Sequence, residues 1–162
     1  MLPVLITAIL MAMSGAAATP AEREASPFTV LDGHQAEVLS KQCSRDNPPR
    51  FDGTWRPSQQ DITDVEAQLP QLHGLRAALC CIPGARVTNV HDYYRQYVGL
   101  IVGGHNVIYV NAFAARLRQL FDPDDRWRTE PVMACDGGEA FWGAISDPAT
   151  KTFSSLAFNG QS

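Results

Sequence analysis

The chain has 162 residues, a length that suits one domain, and its 13 basic and 17 acidic residues give a net charge of −4. Because the basic residues form no run, this balance argues against a nucleic acid or an anionic membrane as the partner.

The N-terminal stretch has the pattern of a signal peptide. Residues 4–13 are almost purely apolar, residues 14–18 are small, and no charged side chain precedes Glu22. Such a run is too short to span a bilayer but matches the apolar core of a signal peptide. The small residues Ala16 and Ala18 place the cleavage site after Ala18, although no Lys or Arg precedes the apolar run. An uncleaved apolar tail or a core strand is the alternative interpretation.

This pattern divides the chain into a signal peptide at 1–18, a flexible leader at 19–27 and a single domain at 28–162. The mature protein is then expected in the periplasm or outside the cell. No other apolar run approaches the ~18 residues that a transmembrane helix needs, so no membrane span is expected after cleavage.

Four cysteines, Cys43, Cys80, Cys81 and Cys135, predict two disulfides in an exported chain. Three pairings are open. The pairing that joins Cys80 to Cys81 ranks last because it closes a strained ring between adjacent residues. The other two tie the adjacent pair to both the N-terminal segment and the Cys135 region. Free buried thiols are one alternative. A zinc site is a further alternative, and it is less favoured because no CxxC or HxH spacing is present.

The first half of the domain predicts mainly loop and helix. A short strand at 28–31 and a short helix at 35–41 precede a loop at 44–57 that contains three prolines. A clearer helix begins at Ser58, which with Asp61 resembles a capping box. Its apolar stripe is interrupted at Pro70, where we expect a kink or a break into two short helices. The stripe consists of Ile62, Val65, Leu69 and Leu72.

From residue 87 onward the pattern changes to strands. Runs rich in β-branched and aromatic residues at 93–102 and 106–113 predict a hairpin, followed by a short helix at 116–121. Further strands are expected at 131–135, 140–145 and 152–158. The predicted fold is therefore α+β, with one kinked helix or two short helices packed on an antiparallel sheet of about five strands. This order is cystatin-like in general plan, an analogy of architecture that does not fix function.

The register of the hairpin decides which side chains share a face. A three-residue loop at 103–105 pairs Leu100 with Ile108 and collects the aliphatic residues of both strands beneath the helix. A two-residue loop mixes the faces, which is costly when only one face is buried. We therefore expect the three-residue loop.

The three-residue loop leaves a second face that is rich in aromatic residues and arginine, the types enriched at binding hot spots. We interpret this face as a candidate partner-binding surface. The alternative is that these residues stabilise the sheet, or that the N-terminal segment or the Trp127 region covers them. The face contains Tyr93, Arg95, Tyr97, Tyr109, Asn111 and Phe113.

No catalytic motif stands out. His91 and Asp92 are adjacent but would point to opposite faces of a strand. A thiol nucleophile at Cys80 or Cys81 would need a reduced cysteine, which export disfavours. The remaining candidates are typical of structural positions or solvated turns: His34, His73, His105, a possible carboxylate pair at Asp136 and Glu139, and possible calcium ligands at Asp122, Asp124 and Asp125. Trp55, Trp127 and Trp142 are more typical of core than of a ligand platform.

The sequence as a whole predicts no cofactor and no metal. It favours a small exported bacterial-type binding protein, such as an inhibitor or immunity protein that blocks another macromolecule in the cell envelope. Whether the chain is also an enzyme is left open. The alternatives are an exported small hydrolase whose site has no sequence signature, and a small-ligand carrier with its cavity between helix and sheet.

Overall fold

The computed structural model describes residues 26–46, 48–77, 81–121 and 124–161 of the chain. The predicted signal peptide, most of the predicted leader, Cys80 and Asp122 lie outside the described residues. Six strands form one mixed sheet: β1 (Phe28–Val30), β2 (Gly53–Trp55), β3 (Tyr93–Val102), β4 (His105–Ala114), β5 (Phe141–Asp147) and β6 (Thr152–Phe158). Three α-helices accompany it: α1 (Ala36–Leu39), α2 (Gln59–Gln68) and α3 (Arg118–Phe121).

The predicted α+β plan is confirmed, but the sheet is larger than expected and not purely antiparallel. Its order is β1-β3-β4-β5-β6, and β2 also pairs with β3. The three-residue strand β1 runs parallel to β3, whereas the other pairings are antiparallel. Residues 131–135 are not a strand, contrary to expectation.

Helix α2 begins as the sequence predicts. The Ser58 hydroxyl accepts a hydrogen bond from the Asp61 backbone N–H, and the Asp61 carboxylate accepts one from the Ser58 N–H, completing a capping box. The α-helix ends at Gln68 and continues as a 3-10 helix at Leu69–Gly74, with Pro70 in its first turn. The predicted break at Pro70 is therefore present.

Both faces of the sheet are buried. On one face, α2 and the following 3-10 helix place Ile62, Val65, Leu69 and Leu72 against the sheet, all at most 2% exposed. On the other face, Leu39 of α1 and the preceding Leu31 pack against Val98, Leu100, Tyr109 and Ile145. The predicted register of the β3–β4 hairpin depended on a single buried face, and two buried faces allow a different register.

The β3–β4 loop contains two residues, not three. Val102 pairs with His105 and Leu100 with Val107, so the predicted register was wrong by one residue. Gly103 and Gly104 both have positive φ, at 56° and 80°, as a tight two-residue turn between twisted strands requires. In this register each face of the hairpin combines residues from both predicted faces. This combination costs little stability because apolar residues cover both faces of the sheet.

The positive φ angles make this turn testable. Gly104→Ala should lower the free energy of unfolding by about 1–2 kcal/mol, because a Cβ is disfavoured in left-handed backbone. Gly103→Asn should be nearly neutral, since Asn tolerates this conformation. Gly74→Ala is the control, because no atom lies within 4 Å of its added Cβ and its φ is not positive. Urea unfolding measures all three, and a Gly104→Ala variant as stable as the parent would contradict the two-residue turn.

Candidate functional site

The six residues of the expected binding face do not form one surface. The observed register places Tyr93, Arg95 and Tyr97 beneath α2 and places the other three on the opposite face. All six are buried, with exposures between 0% and 9%. Their side chains are therefore not at the surface of the folded domain. On the opposite face, Leu31 and Leu39 pack in one cluster with Tyr109, and Trp127 packs against Phe113. The other three are Tyr109, Asn111 and Phe113.

Arg95 is the centre of a structural cluster. Its Nε and Nη2 each donate to a carboxylate oxygen of Glu66 at 2.9 Å, and its Nη1 donates to the backbone carbonyls of Val90 and Tyr93. The Tyr97 hydroxyl donates to the same Glu66 carboxylate. Burial and the neighbouring Glu66 charge raise the pKa of Tyr97 well above its ordinary value, so the hydroxyl stays protonated and donates. This cluster ties α2 to β3.

Arg95→Ala should therefore lower the free energy of unfolding by about 3 kcal/mol, because it leaves the buried end of Glu66 without its cationic partner and two carbonyls without their donor. The exposed Arg116 provides the control, and Arg116→Ala should change stability by less than about 0.5 kcal/mol. Chemical denaturation of both variants makes the comparison. Equal stability of the two would show that Arg95 does not hold the helix to the sheet.

On the opposite face, side-chain amides fasten residues 126–136, here called the cover segment, to the sheet. The Gln96 amide donates to the carbonyls of Trp127 and Glu130 and accepts from the Val132 N–H. Its neighbour Asn111 donates to the Val132 carbonyl and to the Gln96 side chain. These bonds satisfy backbone groups that strand pairing would otherwise satisfy. Residues 131–135 can therefore pack against the sheet without forming a strand.

Arg45 extends this polar layer. Its guanidinium donates to the Tyr109 hydroxyl and to the side-chain oxygens of Asn111 and Asn159. Asn159 in turn donates to the Ala134 and Asp136 carbonyls, near the end of the cover segment. Arg45 is 6% exposed and is held by neutral oxygens, so this side chain serves the packing of the cover and not a surface charge.

A disulfide joins Cys43 to Cys135, with 5.0 Å between the Cα atoms. This bond excludes both pairings that the sequence analysis favoured. The pairing of Cys43 with Cys135 ranked last in the prediction because it would also join Cys80 to Cys81 in a strained ring. In the structure, the hydrogen bonds of Arg45 and Asn159 bring the segments that contain Cys43 and Cys135 together. Cys81 is also disulfide-bonded, and Cys80 lies outside the described residues. Both Cys43 and Cys135 are exposed, and the bond is compatible with an oxidising, extracytoplasmic location.

The cover segment forms a half-open cleft of about 250 Å³ at the paired ends of β4 and β5. The buried rings of Phe113, Trp127 and Phe141 lie at its base. Phe113 and Trp127 meet edge to face at 5.7 Å between ring centroids. Half-buried Pro131, Val132 and Met133 form its sides, and the exposed Arg126 and Glu130 lie at its rim. The cleft thus combines an apolar interior with one positive and one negative group at the entrance.

Asp125 positions the tryptophan of this cleft. Its carboxylate accepts two hydrogen bonds from Arg118, each at 2.6 Å, and one from the Trp127 indole at 3.2 Å. The Arg118 hydrogen bonds lower the pKa of Asp125, and the Trp127 hydrogen bond adds to this effect. Asp125 has a φ of 57°, a conformation that Asp and Asn adopt more readily than most residues.

This arrangement predicts a pH dependence. Because the pKa of Asp125 is lower in the folded protein than in the unfolded chain, its ion pair stabilises the loop above about pH 4, the usual aspartate range. That stabilisation is lost as the pH falls through the lowered pKa. The Trp127 indole N–H resonance should therefore shift on acidification below about pH 4. Asp125→Asn keeps the backbone conformation but removes the charge, and should abolish the shift; a shift unchanged in this variant would assign the titration elsewhere.

The predicted catalytic and metal candidates are not brought together. His34, His73, His91 and His105 are all exposed, and the Asp92 carboxylate accepts from the Asn89 amide. Asp136 and Glu139 are exposed beside a turn, Asp124 is exposed, and Asp125 is committed to Arg118. Within the part of the chain that the structure describes, no group of three or more His, Cys, Asp or Glu side chains is placed to hold a metal ion. No helix there is long and apolar enough to cross a bilayer.

Trp127 and Trp142 belong to the core and Trp55 to its edge, and Trp127 also lines the cleft. From the sequence, Trp127 was expected in the core or as part of a cover over the sheet, and the rim and sides of the cleft were not predicted. The signal available was weak: an Arg-Trp-Arg run followed by Pro-Val-Met between two polar turns. Comparison with known protein families, curated proteins and solved structures finds no match to this chain.

Proposed function

We propose that this chain is a small exported binding protein of a bacterial type, an inhibitor or immunity protein that blocks another macromolecule by accepting one of its side chains in the cleft beside Trp127. The observation that carries this proposal is the cleft itself, with its aromatic base and its charged rim. The signal-peptide pattern of residues 1–18 and the Cys43–Cys135 disulfide support a location in the periplasm or outside the cell.

The size of the cleft favours a single anchoring side chain over a metabolite. Pockets for drug-sized ligands usually enclose about 300–1,000 Å³, whereas a dry cavity of about 150 Å³ is enough for benzene. At about 250 Å³, the cleft holds one ring or one long aliphatic side chain. Binding hot spots are commonly of this kind, an aromatic group seated in a well-packed pocket with polar groups around it.

The base of the cleft favours an aromatic anchor. The buried rings of Phe113, Trp127 and Phe141 line the cleft, and aromatic pairs gain about 0.5–1.5 kcal/mol beyond the burial of their area. Gln96 and Asn111 hold the cover segment in place before any partner arrives, so little ordering entropy is lost on binding. The exposed Glu130 at the rim offers a polar contact to the backbone or neighbouring side chains of the partner.

The cleft can be tested with side-chain surrogates. Indole and p-cresol should bind the oxidised protein with dissociation constants on the order of 1 mM, as expected for fragments of this size. Their amide chemical-shift changes should centre on residues 126–133. Val132→Trp should fill the cleft and weaken binding at least about tenfold. Val38→Trp is the matched control, because Val38 is 42% exposed on α1 and does not line the cleft.

The same pair of variants tests the macromolecular partner. Mature oxidised protein should retain a specific envelope protein on affinity capture, and Val132→Trp should lose that protein while Val38→Trp keeps it. Fragment binding that maps away from residues 126–133 would refute the cleft. A small molecule retained in place of a protein would instead favour the carrier function, and turnover of a captured molecule would favour the hydrolase.

A further inference from the structure

A second feature of the surface lies between α1 and β2, on a different part of the molecule from the cleft. Three hollows of about 180, 420 and 340 Å³ follow one another there. The first and second share Gly33 and Thr54 as walls, and the second and third share Glu37 and Phe51. The hollows therefore form one continuous groove, here called the α1–β2 groove, which suits an extended chain more than a compact ligand.

One wall of the groove is a strand with an unused edge. In the described part of the chain β2 pairs with β3 alone, and Gly53 and Thr54 of β2 line the groove. Thr54 is exposed, and its side chain packs against Gly33, which has no Cβ to meet it. An open strand edge offers backbone N–H and C=O groups to a partner strand, a recurring mode of peptide recognition.

The charges along the groove define what its occupant should carry. At one end Arg56 is already matched by Asp32, with 3.1 Å between the charged atoms. The middle hollow is lined by Glu37, Asp52 and the exposed His34, and neither carboxylate forms a salt bridge within the described residues. The Asp52 carboxylate accepts one hydrogen bond, from the Gly103 N–H, which leaves acceptor capacity on its oxygens. The middle of the groove is thus anionic on a protein whose net charge is −4.

The far end of the groove is less polar. Pro48, Pro49 and Phe51 line the third hollow together with Arg50. An apolar side chain of an extended segment fits against the two prolines and the ring. Arg50 would face an acidic neighbour in that segment.

We propose that the α1–β2 groove binds an extended polypeptide segment that adds as a strand beside β2 and places a lysine or arginine between Glu37 and Asp52. This site is separate from the cleft beside Trp127 and does not rest on it. Backbone hydrogen bonds to β2 supply much of the affinity, and the central basic residue supplies the selectivity.

The test uses a synthetic probe. An N-acetylated, C-amidated nonapeptide of alternating Thr and Val with a central Lys should shift the amide resonances of residues 33–37 and 50–56. The same peptide with a central Glu should bind at least about tenfold more weakly. A version N-methylated at alternate residues, which cannot pair as a strand, should lose binding to a similar extent.

Two double variants complete the test. Glu37→Gln with Asp52→Asn should weaken binding of the Lys peptide about tenfold, and the asparagine keeps an acceptor for the Gly103 N–H. Asp136→Asn with Glu139→Gln removes two exposed carboxylates elsewhere and should leave binding unchanged. Unchanged binding in the first variant, shifts outside the groove, or no binding up to the solubility limit of the peptide would each overturn the proposal. Val132→Trp should still bind the peptide, so failure of the cleft and failure of the groove are distinguishable.

Discussion

The side-chain pair Gln96 and Asn111 at the centre of the sheet is the interaction on which the second face depends. The two residues lie opposite each other on β3 and β4, and the Asn111 amide donates to the Gln96 oxygen at 2.8 Å. Both are at most 2% exposed, so their remaining polar groups must be satisfied within the protein. Arg45 donates to the Asn111 oxygen, and the backbone of the cover segment satisfies the other groups. The walls of the cleft beside Trp127 follow from that requirement.

Much of the fold could be predicted from the sequence because local rules decided it. The capping box at Ser58, the apolar stripe of α2, the break at Pro70 and the four long strands each depend on neighbours in sequence. Strand β1 lies within the short strand predicted at 28–31, whereas β2 lies in the predicted loop at 44–57, since its three residues carry too short a pattern to distinguish it from loop. Their pairing with β3 is a tertiary effect. Gly99, for example, lies opposite Trp55, and a Cβ at this position would meet the Trp55 carbonyl oxygen at 2.3 Å. This close approach of β2 therefore requires glycine.

The candidate sites were harder to predict than the fold. Hydrophobic alternation fixes strand register only when one face is exposed, and here both faces are covered, so the pattern of residues 93–113 was compatible with either loop length. Residues 131–135 resembled a strand because they form an apolar run, but their hydrogen bonds come from side chains with no periodic signature. The cleft and the α1–β2 groove are assembled from segments far apart in the chain, which composition and spacing do not reveal.

The Cys43–Cys135 bond closes a ring with a sequence separation of 92 residues. Every element from β2 to α3 lies inside that ring, whereas β1, α1, β5 and β6 lie outside it. In the chain-entropy description, a ring of this size raises the free energy of the unfolded chain by about 4–5 kcal/mol. A protease that cuts once within the ring therefore leaves the two pieces covalently joined. Such a nicked molecule keeps both ends of the cover segment attached to the domain.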